Sequence, residues 1–189
     1  MRKRRLIWHI FPSYVLVILT MMVLTALYST QSLRSLYEDR LKDDLEGRAR
    51  ILGVTFAGLL AQNALEGVNR ECRALGAAGG MRVTVISAAG TVAGDSEEDP
   101  VNMENHAGRL EVAAALAGET GAVVRLSTTV GQEMLYVAVP VRVEGRLLGA
   151  VRVAVPTTRI DDALWPVYLR VAMGGAVAAV VAALLSWFV

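Results

Sequence analysis

Two apolar stretches, at about 6–27 and about 167–189, bracket everything else in this chain. Each is close to the ~20 residues a helix needs to cross a hydrocarbon core. Between them lie roughly 140 residues of ordinary globular composition. That layout predicts a folded domain on one side of a membrane, with both ends tied to the bilayer. The expected division is a basic tail over 1–5, a first membrane helix over 6–27, a sensor-sized domain over 28–163 and a second membrane helix over 164–189.

Arg2, Lys3, Arg4 and Arg5 precede the first stretch with no acid among them. Such a cluster marks the cytoplasmic side, so the N-terminus is expected inside and the middle domain outside, in a bacterial plasma membrane. The segment from Ser29 to Trp165 carries 14 basic and all 18 acidic residues, a net of −4 that the near-neutral total hides. An acidic outer domain argues against nucleic-acid binding. A cleaved signal peptide has a shorter apolar core and a small-x-small site; the run here is longer and ends Leu24-Thr25-Ala26-Leu27-Tyr28. Pro12 falls in the first turns of that helix, where it is tolerated, and His9 reads as interfacial. Arg170 lies near the outer edge of the second span, where its stem reaches the headgroups. Trp165 and Tyr168 mark the same interface. No basic cluster follows Val189, so the natural protein is expected to continue inside the cell.

Beyond the first span, Leu33, Leu36, Tyr37, Leu41, Leu45, Leu52, Phe56 and Leu59 recur at three- and four-residue steps. One helix is expected to run from the membrane to about Ala64. Its stripe is divided between a homodimer seam at Leu33, Leu36, Leu41 and Leu45 and the domain's own core at 52–60. A short helix over 67–74 and a glycine loop over 76–80 follow. The period then changes to two: strands are expected at 83–86, 91–94, 122–127, 133–143 and 147–155, with a short helix at 110–117 closed by Gly118 and a tight hairpin at Glu144-Gly145-Arg146. Pro156 ends the last strand, and Thr157 or Thr158 caps the helix that becomes the second span. The fold class is α+β, with a five-stranded antiparallel sheet.

The ordered set Thr91-Val92-Ala93-Gly94-Asp95-Ser96, Asp99-Pro100, Met103-Glu104-Asn105-His106, Arg109, Glu111, Ala115-Leu116-Ala117-Gly118, Arg125-Leu126-Ser127, Met134 to Pro140 and Gly149 to Ala154 resembles the extracytoplasmic single Cache-like (PAS-like) domain of phosphate-regulon-type sensor histidine kinases. The resemblance covers about 82–162. It implies a homodimeric receptor whose parent uses ATP and Mg to phosphorylate a histidine, then passes the phosphoryl group to a response regulator. It transfers the role, not a ligand. No catalytic residue and no cofactor of the kinase half belongs to this segment. A chemoreceptor or cyclic-dinucleotide enzyme with the same outer module is the alternative, as is a membrane-anchored protein-binding domain.

Several residues carry chemistry of their own. Arg125, Tyr136 and Arg152 lie on consecutive strands and, sharing a face, would line a cup for an anionic ligand, since guanidinium matches carboxylate and phosphate. The plainer reading makes them a solvated outer face. His106 and Arg109 precede the short helix. His106 either caps or braces that helix or titrates near neutral pH, and Arg109 is placed to pair with Glu111. Asp95 and Ser96 fit a turn in which side chains accept from backbone amides. Glu97, Glu98 and Asp99 read as a solvated loop, without the alternation of a calcium site. Cys72, the one cysteine, is expected in the core, and a zinc site of Cys/His type is excluded.

Overall fold

The computed structural model describes residues 3–127 and 131–188, with side chains from Leu16 onward except 18–19, 159, 161, 163, 182–183 and 185–188. Helix α1 spans Lys3–Ala61 and α2 Leu65–Gly79. Strands β1 (Arg82–Ser87) and β2 (Val92–Asp95) precede a 3-10 turn at Pro100–Asn102 and helix α3 (Leu110–Ala117). Strands β3 (Gly121–Leu126), β4 (Glu133–Val143) and β5 (Arg146–Pro156) lead into α4 (Thr158–Phe188). The sheet has the order β2-β1-β5-β4-β3, and all its pairings are antiparallel. The chain divides into two compact units, 39–159 and the terminal segments 1–38 with 160–189.

In the first unit, one face of the sheet is apolar. Val83, Val85, Leu135, Val137, Val139, Val141, Val151, Val153 and Val155 alternate inward, as period-two strands require. Leu45, Ala49, Leu52 and Phe56 from α1, with Val68 and Cys72 from α2, close over them. Phe56, Val68 and Cys72 are fully buried. The other face carries α3 and the segment that follows β2.

Leu45 is 1% exposed in this core, so the domain's own packing takes it from the expected dimer seam, while Leu41 packs against the core and is partly buried. The 3.6-residue period placed them on a stripe but could not say which surface would cover it. Leu33 and Leu36 remain exposed. The glycine run at 76–80 is also not a loop: α2 continues to Gly79 and Gly80 closes it with φ +56°. Gly76 is there for close approach, because a Cβ would stand 2.5 Å from Ser96 Cβ. The β4–β5 hairpin turns at Glu144 (φ +51°) and Gly145 (φ +80°), the geometry of a two-residue primed turn.

In the second unit, Gly175 of α4 faces Met22 of α1; a Cβ would meet Met22 Cε at 3.4 Å. Among the described residues one segment, Leu164–Val181, is long and apolar enough to cross a membrane. Leu169, Val177 and Leu184 of α4 are exposed, as are Leu16, Met21, Leu24 and Leu27 of α1. Most side chains of the expected first span at 6–27 lie outside the described residues.

Candidate ligand site

The second face of the sheet carries charged side chains that are buried, where the second face of an antiparallel sheet is ordinarily solvated. Arg82 and Thr84 on β1 and Arg152 on β5 are at most 3% exposed. They form the alternate phase of strands whose other phase is valine. Strand register sets Thr84 opposite Arg152, Arg152 opposite Ala138, and Val123 opposite Tyr136. Arg125 reaches the same face from β3. Arg125, Tyr136 and Arg152 therefore do converge.

The arginines sit in two buried groups. Arg82 Nε donates to both oxygens of Asp95 at 3.1 Å. Asp95 also accepts from Thr84 Oγ1 at 2.6 Å and from the amides of Glu97 and Glu98 at 2.9 and 3.0 Å. Asp95 thus makes the expected turn and in addition neutralises a buried charge. Ser96 Oγ accepts from the Val83 amide at 3.0 Å. In the second group, Arg125 Nη2 and Arg152 Nη1 both donate to Glu111 Oε1 at 3.3 Å. Glu111 belongs to α3 and is 1% exposed. Tyr136, 2% exposed, lies beneath both guanidiniums, whose carbons are 4.1 Å (Arg125) and 4.9 Å (Arg152) from the ring centre. Cation–π attraction holds such cations over a desolvated ring.

The expected Arg109–Glu111 pair does not form, because Glu111 points to the sheet arginines instead. Arg109 is the N-cap residue of α3 without a side-chain cap. The His106 side chain makes no cap to that helix, but its carbonyl braces the N-cap residue, accepting from the Arg109 amide at 3.0 Å. The His106 amide donates to the Gly90 carbonyl at 2.8 Å, which ties the loop to the β1–β2 turn.

The arginines, Tyr136 and His106, but not Asp95, Thr84 or Glu111, line a cavity of about 570 Å³. Arg82, Arg125, Tyr136 and Arg152 form its floor, and His106, Arg109, Glu98 and Glu104 come from the loop above. Among the described residues, Arg82 Nη2, Arg125 Nε, Arg152 Nε, His106 Nδ1 and Glu111 Oε2 are buried with no hydrogen-bond partner. Buried polar atoms are ordinarily satisfied, so three guanidinium groups with spare donors mark a place built for an acceptor. Burial, with the nearby Arg152 and Arg109 charges, pushes the His106 imidazole down to about 4. It is neutral at physiological pH. Burial also lowers Arg152 from its ordinary value, against the opposing pull of Glu111.

Sequence reasoning missed Arg82, Thr84 and the buried role of Glu111. A signal was present for the first two: in Arg82-Val83-Thr84-Val85 the polar residues hold one phase of the alternation. Nothing local marked Glu111, whose partners are 14 and 41 residues away.

No protein-family model matches the chain, and none of the curated proteins matches it. Solved structures do. The sensor domain of the V. cholerae histidine kinase DctB superposes with a TM-score of 0.59 at 21% identity, over 77% of this chain and 58% of that one. The ligand-binding domain of the Campylobacter jejuni chemoreceptor Tlp3, in complex with L-valine, gives 0.58 at 16% identity, over 76% of this chain and 65% of that one. The E. coli DcuS sensor domain gives 0.51 at 15% identity, over 64% of this chain and 95% of that one. The chain has the fold of these sensor domains. It spans 58% of the DctB structure's length.

Proposed function

We propose that this chain is the sensing and membrane-anchoring module of a two-component sensor histidine kinase of the phosphate-regulon type, and that its outer domain binds a small anion. The observation that carries the binding part is the cavity floor, where Arg82, Arg125 and Arg152 keep buried donors without partners. Desolvated guanidinium is costly unless an acceptor completes it, and carboxylate or a similar oxyanion is the complementary group. The shared fold with sensor domains supports the sensing role.

In this reading, 1–5 is a cytoplasmic tail, 6–27 and 164–189 cross the bilayer, and 28–163 lie outside it. The exposed apolar Leu164–Val181 segment supports the bilayer as partner. A homodimer would use the exposed Leu33 and Leu36. The parent kinase would use ATP and Mg and hand its phosphoryl group to a response regulator. A chemoreceptor module is the second reading, because ligand-binding domains of chemoreceptors share the fold.

Two measurements test these parts. The coding sequence downstream of Val189 should encode a phospho-accepting histidine helix and an ATPase domain; a long methylated coiled coil there would replace the kinase with the chemoreceptor. Calorimetric titration of the full chain in lipid nanodiscs with a panel of small carboxylates should find a binder that Arg152→Gln abolishes. A panel in which nothing binds, or whose binders ignore Arg152→Gln, would refute the anion site.

A further inference from the structure

The two buried carboxylates that hold the floor arginines are not equivalent. Asp95 is saturated: it accepts from Arg82, Thr84 and two backbone amides. Glu111 is not. Two guanidiniums share its Oε1, and its Oε2 has no partner among the described residues. Arg82 has Asp95, with Glu97 Oε2 also 3.9 Å from its Nη1, whereas Arg125 and Arg152 share the single Glu111 carboxylate, so the surplus charge sits at that pair, both with an unpaired Nε. At the rim, Arg109 is outnumbered by Glu98 and Glu104.

We propose that Glu111 is a specificity-determining residue: an internal counter-ion that leaves the Arg125–Arg152 pair one positive charge in excess, so that the site takes a singly charged carboxylate and discriminates against a doubly charged one. The inference rests on the anion-site reading above. A first negative charge on the ligand completes the pair. A second has no uncompensated cation on the floor, and it is repelled by Glu111 behind the two guanidiniums and by Glu98 and Glu104 at the rim. Tyr136 beneath both guanidiniums keeps them aimed rather than free to follow a larger anion.

The test compares acetate with malonate, a mono- and a dicarboxylate of similar size, by calorimetry on the full chain in nanodiscs near neutral pH. The ratio of malonate to acetate affinity is the readout, because hydration of each ion is the same for every variant. Glu111→Gln, nearly isosteric, should raise that ratio by about tenfold or more. Arg125→Gln, at a position 23% exposed and so tolerant of substitution, should lower it, and it keeps the proposal testable if Glu111→Gln does not fold. A ratio that neither variant moves, with both anions still binding, would overturn the role of Glu111 and leave the anion site standing. Failure of both anions to bind the wild-type chain and both variants would overturn the site and this inference together.

Discussion

Arg152 on β5 and Thr84 on β1 are cross-strand partners, and Arg152 Nη2 donates to Thr84 Oγ1 at 3.0 Å. The same hydroxyl donates onward to Asp95 at 2.6 Å. One threonine therefore joins the Arg82–Asp95 pair to the Arg125–Glu111–Arg152 group. Thr84→Val keeps the shape and removes both bonds, leaving Arg152 Nη2 without that acceptor in the interior while Asp95 keeps Arg82 and the two amides. It should destabilise the domain by about 1–3 kcal/mol, read as a lower urea midpoint. An unchanged midpoint would mean the two groups are energetically independent.

His106 gives the domain a pH dependence of defined sign. Its folded value, about 4, lies below its ordinary 6.5, so between these values the unfolded chain binds the extra proton. Stability from this residue is present above about pH 6.5 and is lost as pH falls toward 4. His106→Gln should flatten the fall in unfolding free energy over that window. A wild-type and variant pair with parallel pH profiles would show that the imidazole is not held neutral by its surroundings.

Cys72 should be chemically silent in the folded domain. It is fully buried, and burial, with the Asp95 charge adding to it, pushes the thiol up to about 12. The thiolate is the reactive species. Iodoacetamide near pH 8 should label Cys72 only after denaturation, as mass spectrometry would show. Rapid labelling of the native domain would place Cys72 outside the core.

Gly121 lets α3 approach β3. A Cβ there would stand 2.6 Å from the Cα of Glu111 and against its carbonyl, so backbone rather than a flexible side chain would have to move. Gly121→Ala should cost about 1–3 kcal/mol through overpacking. It should also weaken anion binding, because the displaced residue is the one that orients Arg125 and Arg152. A stability loss without any effect on binding would separate the helix position from the site.

Much of the element order is legible from periodicity. β4 and α3 lie where the alternation and the Gly118 stop predict them, and the Glu144-Gly145 turn follows from the residues that tolerate positive φ. Gly76–Gly80 misleads because glycine has two uses: it breaks helices, and it also permits contact inside them. Only the position of Ser96, twenty residues on, distinguishes these.

The site divides along the same line. Strand phase alone sets Arg82 with Thr84, and period two is a local property of the backbone. Which face the helices cover is not local. The period-3.6 stripe assigns Leu45 to a partner chain, and only the packing of α1 in one core with the sheet valines gives it to the domain's own sheet. With that face taken, the polar phase of β1 and β5 had to meet α3 and the loop, where Asp95 and Glu111 could neutralise it. The sequence by itself determined the elements, their alternation and the acidic balance of the middle segment, because these follow from neighbouring residues. Only the tertiary structure decided that Arg125 and Arg152 stack over Tyr136 on the face that buries Arg82, because their carboxylate partners are distant in the chain and desolvation makes each arginine depend on them.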